Sequence, residues 1–339
     1  RTRFVATLKP FKGFSITGSY SYDVVDEERK RKPVILEQWN FRDELITRTT
    51  EGKSSIMNYD GKTQRYFNDV VARYENRFIN DQLGLNAMIG ASQERYYQHN
   101  FQATKYDLID YSLNVINGAT GDASASGSST EWAMRSFFGR VNYSLLDRYL
   151  LTVTVREDGT SRFSEEHRWG TFPSLAFAWR AKEESFLKDF KPLSDLKVRL
   201  GYGVTGQQEG ISNYSYLPVY VLGNEYAQYK LGNTYYNTYR PASYFSNLKW
   251  ETTTAYNAGI DFGFFDNRIS GSVDYYTRKT KDLLAYVPLA AGANFSDAGT
   301  TNVGNVKSNG VEFSINAVPV KTKDFTWNVG FNATYQKVQ

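Results

Sequence analysis

Residues 326–335 read TWNVGFNATY: Trp327, Val329, Phe331, Ala333 and Tyr335 are apolar, and the positions between them are polar or glycine. A strand sends successive side chains to opposite faces, so a period of two makes a sheet with one apolar and one polar face. The alternation recurs. Residues 196–204 set Leu196, Val198, Leu200, Tyr202 and Val204 against Lys197, Arg199, Gly201 and Gly203. Residues 256–264 set Tyr256, Ala258, Ile260, Phe262 and Phe264 against Asn257, Gly259, Asp261 and Gly263. About twelve strands are expected, near 2–9, 13–22, 62–73, 81–93, 134–145, 148–157, 170–181, 194–205, 251–265, 268–280, 308–318 and 324–337. Many are about ten residues long, enough for a tilted strand to cross a bilayer core.

The connections alternate in length. Short ones fall at 10–12, 74–80, 146–147, 266–267 and 319–323, and a medium one at 182–193 has room for a short helix. Long ones fall near 23–61, 94–133, 158–169, 206–250 and 281–307. Short turns at one end and long loops at the other are the layout of a membrane barrel, whereas a soluble sandwich favours short loops throughout. Aromatic residues make up 16% of the chain, with 26 Tyr. Tyrosine, with an apolar body and a polar tip, suits the two membrane–water boundaries. The second face is too polar for a barrel filled by its own side chains and fits a wide, wet or plugged lumen. No run of 18 apolar residues exists, so no transmembrane helix is expected. The fold class expected is therefore all-β, part of a large antiparallel transmembrane β-barrel. The chain opens RTRFVATLKP, without an apolar leader, and stops at YQKVQ rather than on an aromatic residue. No separate globular segment is visible that would plug the lumen. Residues 1–339 therefore read as one barrel domain of a longer polypeptide, without its plug and closing strands.

Composition limits the chemistry. Without Cys there are no disulfides, thiolate metal sites or cysteine nucleophiles, and two distant His residues make no metal cluster. A net charge of +4 gives no reason to expect nucleic acid as a partner. Gly201-x-Gly203-x-x-Gly206 matches a dinucleotide fingerprint, which needs a helix after the glycines. Here Gly201 and Gly203 lie within a strand, and QQEGISNYSYLP has no helical stripe. The reading is that small residues on the polar face leave room for a close neighbour. The run DVVDEERKRK at 23–32 reads as a solvated loop, and GATGDASASGSST at 118–130 as disordered low-complexity loop. Glu157, Asp158, Glu165, Glu166 and His167 match no zinc or EF-hand spacing, and Asp158-Gly159 suits a turn. No catalytic residue and no cofactor are expected. The best functional candidate is the aromatic loop 211–245, with Tyr214, Tyr216, Tyr220, Tyr226, Tyr235, Tyr236 and Tyr239 foremost, together with Tyr229, Tyr244 and Phe245. Their rings could stack on cargo or pack against a partner protein.

Five stretches, in order, carry a resemblance: GRVNYSLLDRYLLTVTVREDGTSRF (139–163), RWGTFPSLAFAWR (168–180), LSDLKVRLGYGVTGQQ (193–208), WETTTAYNAGIDFGFFDNRISGSVDYYTRKTKDLL (250–284) and NVGNVKSNGVEFSIN (302–316). Together they resemble the SusC/RagA family of TonB-dependent outer-membrane transporters over about 134–337. The resemblance implies a barrel of about 22 strands around an N-terminal plug. Its partners would be a SusD-like surface lipoprotein as lid, TonB reached through the plug region, outer-membrane lipid, and oligosaccharide or peptide cargo. A dimer of the transporter–lid complex fits the same pattern, in the outer membrane of a Gram-negative, Bacteroidetes-like bacterium. Arg199, Gly201 and Gly203 would then face the lumen and its plug. Two other readings stay open on the residues alone: a passive porin or structural barrel without energy coupling, and a surface glycan-binding or hydrolytic β protein.

Overall fold

The computed structural model describes residues 1–33, 36–39, 45–49, 54–223, 228–290, 292 and 296–339, with 36–39 and 45–49 described as backbone alone. Its main element is a twelve-stranded sheet. The strands are β1 (Thr2–Leu8), β2 (Phe14–Arg31), β3 (Ser55–Phe78), β4 (Leu83–Tyr106), β5 (Ala123–Leu145), β6 (Tyr149–Thr160), β7 (Trp169–Arg180), β8 (Leu193–Gln207), β9 (Glu251–Phe264), β10 (Ile269–Lys281), β11 (Asn305–Lys321) and β12 (Thr326–Val338). They are hydrogen-bonded in chain order, with β1 and β12 as the two edges. Every pair from β5 to β12 is antiparallel. Short strand pairs lie in the long connections, among them Tyr220–Leu222 with Tyr239–Pro241, Gln228–Leu231 with Thr234–Asn237, and Leu284–Pro288 with Ala298–Asn302.

The chain divides into two compact units: Arg1–Phe4, Ser19–Asn68 and Glu94–Ala133 in one, and Val5–Gly18, Asp69–Gln93 and Met134–Gln339 in the other. The first has a small buried cluster of Ile56, Leu108 and Ala119. Its strand segments carry polar contacts, including an Arg65–Glu94 ion pair and a hydrogen bond from Asn100 to Ser128 Oγ.

In the second unit the register turns the sequence alternation into continuous rows. Tyr143, Leu151, Phe177, Leu200, Ala258, Tyr275, Val311 and Tyr335 stand opposite one another across β5 to β12. Directly opposite residues share a face, so this row runs over eight strands of one apolar surface. Among the described residues nothing covers it: Leu200 is 50% exposed, Tyr275 51% and Tyr335 71%. An apolar surface of this extent requires lipid or another apolar layer.

The short-connection end is fastened by polar contacts. Leu146 and Asp147 (φ 55° and 52°) are the left-handed central residues of the turn that Arg148 N–H closes onto Leu145 O at 3.0 Å. Arg77 holds the Asp147 carboxylate in a fork of two 2.8 Å bonds. Beyond β7 a 3-10 turn (Ala181–Glu183) leads into a one-turn helix (Ser185–Lys188), so the medium connection does carry a short helix. Between them Glu184 accepts from Tyr149 Oη (2.6 Å), Trp179 Nε1 (3.1 Å) and Arg148 Nη1 (3.3 Å). These donors, Tyr149 first, hold its carboxyl below the ordinary 4.5.

Several strands outrun the alternation. β2 continues through the charged run to Arg31, β3 starts at Ser55, β4 reaches Tyr106 and β5 begins at Ala123. The segment 23–32 is thus mostly strand, and 123–130 is strand where a disordered loop was expected. Asp158 and Gly159 likewise lie inside β6 rather than in a turn. In these extensions the ladder supplies the backbone hydrogen bonds, and neither face is apolar enough to leave a period-two signal.

Candidate functional site

The polar face of the second unit is a built ionic network. Arg199 on β8 stands opposite Gly259 on β9, and Gly259 opposite Asp274 on β10. The missing side chain at Gly259 opens a gap, and a Cβ there would run into Asp274 and Arg199. Arg199 crosses that gap. Its Nε and Nη2 fork onto Asp261 at 2.9 and 2.7 Å, and Nη2 also lies 2.8 Å from Asp274 Oδ1. Lys197 Nζ lies 3.8 Å from Asp261. A planar guanidinium suits this two-carboxylate geometry; an ammonium would not fork. Further along the same face, Asp158 is held by Arg156, which also donates to Ser136 Oγ at 2.9 Å and lies over the Phe138 ring. Among the described residues no group of three His, Asp or Glu side chains is placed to hold a metal. The network is a partly exposed wall of paired charges.

At the long-connection end lies a feature the alternation did not reveal. Phe163, Phe172, Ile211, Leu248 and Trp250 form a buried cluster. Trp250 meets Phe163 and Phe172 edge-on, with ring centroids 5.5 and 5.3 Å apart. Its indole N–H donates to Arg168 O at 3.0 Å. Asn302 completes the fastening, accepting from Lys249 N at 3.0 Å and donating to Lys249 O and Asp282 O. The cluster anchors the connections 161–168, 208–250 and 282–304 to the sheet. Val204 packs against it, one residue beyond the last β7–β8 pair, Ser174 with Gly203.

This cluster also explains the glycine motif. A Cβ at Gly206 would strike the Phe172 ring. At Gly203 it would meet Ser174 Cβ at an ordinary 3.6 Å, and at Gly201 the end of the flexible Asn257 side chain. Gly206 belongs to β8, opposite Thr252, rather than opening a loop. Among the described residues no helix follows it, so the phosphate cradle of a dinucleotide fold is not built here.

The tyrosines of the aromatic loop separate into two groups. Tyr214 and Tyr216 lie in the turn region beside the anchored Ile211, and Tyr216 is half-buried. Tyr220, Tyr235, Tyr236 and Tyr239 are all more than half exposed on the two hairpins. Tyr229 pairs with Tyr236 on one hairpin face, and Lys230, opposite Tyr235, lies 5.4 Å from its ring centroid. Phe245 turns inward against the buried cluster and Gly299. Tyr226 lies outside the described residues. The described part of the loop therefore forms two short strand pairs that present aromatic side chains, with an apolar anchor at its foot. Leu248 and Trp250 gave no signal in sequence, since a buried anchor at the foot of a loop has no periodicity.

Known proteins share this architecture. A family model described as TonB dependent receptor-like, beta-barrel, matches residues 7–338. The TonB-dependent receptor SusC of Bacteroides thetaiotaomicron is 50% identical over 248 residues, 73% of this chain and 24% of that protein. The TonB-dependent receptor P39 of Formosa agariphila is 32% identical over 290 residues, 82% of this chain and 26% of that protein. The chain spans about a quarter of the length of these curated relatives. Among solved structures, the RagAB peptide importer in its closed-closed state matches with a TM-score of 0.84 at 23% identity, over 99% of this chain and 35% of that one. At that identity the shared feature is the fold.

Proposed function

The chain belongs to the TonB-dependent receptor-like β-barrel family, in its SusC/RagA branch, and from that premise we propose that residues 1–339 form one stretch of the wall of an outer-membrane importer of large nutrients, oligosaccharides or peptides. The observation that carries the reading is the uncovered apolar row across eight strands, backed by a polar face of paired charges. In this reading the apolar face meets lipid. Lys197, Arg199, Gly201, Gly203 and Asp261 face the lumen, where a plug seats against a surface that is charged, satisfied and locally free of bulk.

The mechanism is gating. Cargo is captured between the barrel mouth and a SusD-like lipoprotein lid, and TonB acting on the plug opens a path. The exposed Tyr220, Tyr235, Tyr236 and Tyr239 offer flat apolar surfaces with hydroxyl tips for cargo or lid, with Tyr214 and Tyr216 at their base. No covalent step is assigned to any residue. The experiment is uptake of labelled oligosaccharide and peptide by cells making the complete protein. Deleting its TonB-contacting segment is expected to abolish uptake while leaving the barrel folded. Undiminished uptake would defeat energy coupling and favour a passive pore.

A further inference from the structure

On the apolar face, the rows end in lysines. Reading up β10, that face presents Ile269, Gly271, Val273, Tyr275, Thr277, Lys279 and Lys281. The register places Lys307 of β11 directly opposite Lys279, and Lys337 of β12 opposite Asn309, two residues from Lys307. All four lysines are exposed, and among the described residues none has an ion-pair partner. Every carboxylate of β9 to β12, Glu251, Asp261, Asp274 and Glu312, lies on the other face by the same register. Like charges directly opposite in a sheet repel, and among the described residues of β9 to β12 this face holds no counter-charge for them.

The depth of the cluster identifies what supplies it. Lys279 is ten residues above Ile269 at the short-turn end. At about 3.4 Å per residue and a tilt of about 40°, that is roughly 26 Å along the membrane normal. An outer-membrane barrel carries an apolar band about 25 Å tall. Tyr275 and Tyr335 lie just below the lysines, and Thr277 bonds Asn309 between the two levels at 2.6 Å. The order upward is aliphatic, aromatic, hydroxyl and amide, then ammonium, which matches a lipid from its acyl chains to a charged headgroup.

We propose that Lys279, Lys281, Lys307 and Lys337 form a site for an outer-leaflet lipid whose headgroup carries phosphate, with its acyl chains lying on the tyrosine- and valine-rich surface below. The assignment rests on the membrane-barrel reading. It is tested on the complete protein with three probes: bis-phosphorylated lipid A, the same lipid dephosphorylated, and inorganic phosphate. Lipid retained after detergent washing is measured by native mass spectrometry. The phosphorylated lipid is expected to be retained selectively, and inorganic phosphate is expected not to displace it. Replacing the four lysines with Gln is expected to cut retention by roughly tenfold or more, whereas Lys323→Gln at the short-turn end has no effect. In neutral detergent without the lipid, Lys279→Gln is expected to be at least as stable as the parent, because it relieves the Lys279–Lys307 repulsion. Equal retention of phosphorylated and dephosphorylated lipid, displacement by inorganic phosphate, or a Gln variant that binds undiminished would each overturn the site. Failure of the complete protein to insert into vesicles would instead overturn the barrel reading itself.

Discussion

The three glycines of the β8 motif should respond to alanine differently, although sequence alone treats them as equivalent. All three lie within β8, and alanine in a strand interior gains about 0.5–1 kcal/mol over glycine from lost chain entropy. At Gly203 the added methyl meets Ser174 Cβ at 3.6 Å, so Gly203→Ala should be neutral or slightly stabilising. At Gly206 the same methyl enters the Phe172 ring, which Trp250 holds edge-on in the buried cluster. Overpacking of a confined site costs about 1–3 kcal/mol. Because the entropy gain is common to both, Gly206→Ala should fall below Gly203→Ala by about 1–3 kcal/mol. Gly201→Ala should lie between them, since Asn257 can rotate away. The assay is urea unfolding of the complete protein in detergent micelles, followed by heat-sensitive gel mobility and tryptophan emission. In a Phe172→Leu background the Gly206→Ala penalty should largely vanish. If Gly206→Ala matches Gly203→Ala, or if its penalty survives Phe172→Leu, the packing explanation is wrong.

Other outcomes follow from the same contacts. Leu248→Ala, at a side chain only 1% exposed, should cost about 2–5 kcal/mol in the same titration and expose loop 208–250 to protease. Arg199→Met should destabilise by about 1–2 kcal/mol, discounted for partial exposure, because Asp261 and Asp274 lose their shared cation; adding Asp274→Asn should recover part of the loss. The Glu184 carboxyl, held below its ordinary 4.5 by Tyr149, Trp179 and Arg148, contributes stability that is complete above that value and is lost as pH falls through the lower folded-state value. Glu184→Gln should flatten that acid limb and leave stability near neutral pH little changed in slope, measured by unfolding midpoints across a pH series.

The membrane-crossing parts of the strands were legible because only there does one face become apolar. Tyr275 and Asp274, one residue apart, already show which face each takes. Beyond the bilayer the same strands run on with small or polar residues on both faces, as at Ala123–Thr130, and the alternation carries no information. The anchor of Phe163, Phe172, Leu248 and Trp250 draws on two connections and on β7, so no local window contains it. Phe172 sits on the side of β7 that otherwise carries Gly170, Ser174, Ala176, Ala178 and Arg180, and that break in the pattern was the one available hint. The tyrosine-rich loop was recognisable by composition, but composition could not separate the outward Tyr235 and Tyr239 from the inward Phe245. The lysine cluster is a product of register: Lys279 and Lys307 are distant in the chain and meet because β10 and β11 pair as they do.

The central claim, a two-faced wall crossing a membrane, is tested most directly by spin labels placed along β10 and β11. The chain has no cysteine, so each introduced thiol is unique within it. Labels at residues 272–275 and 311–314 of the complete protein in lipid vesicles would be probed by collision with oxygen and with a water-soluble nickel chelate. The account expects a period of two, with Val273, Tyr275, Val311 and Phe313 accessible to oxygen in the lipid. Ser272, Asp274, Glu312 and Ser314 should be shielded from it and relatively more open to the chelate. Uniform accessibility, or oxygen contact at Asp274 and Glu312, would contradict it.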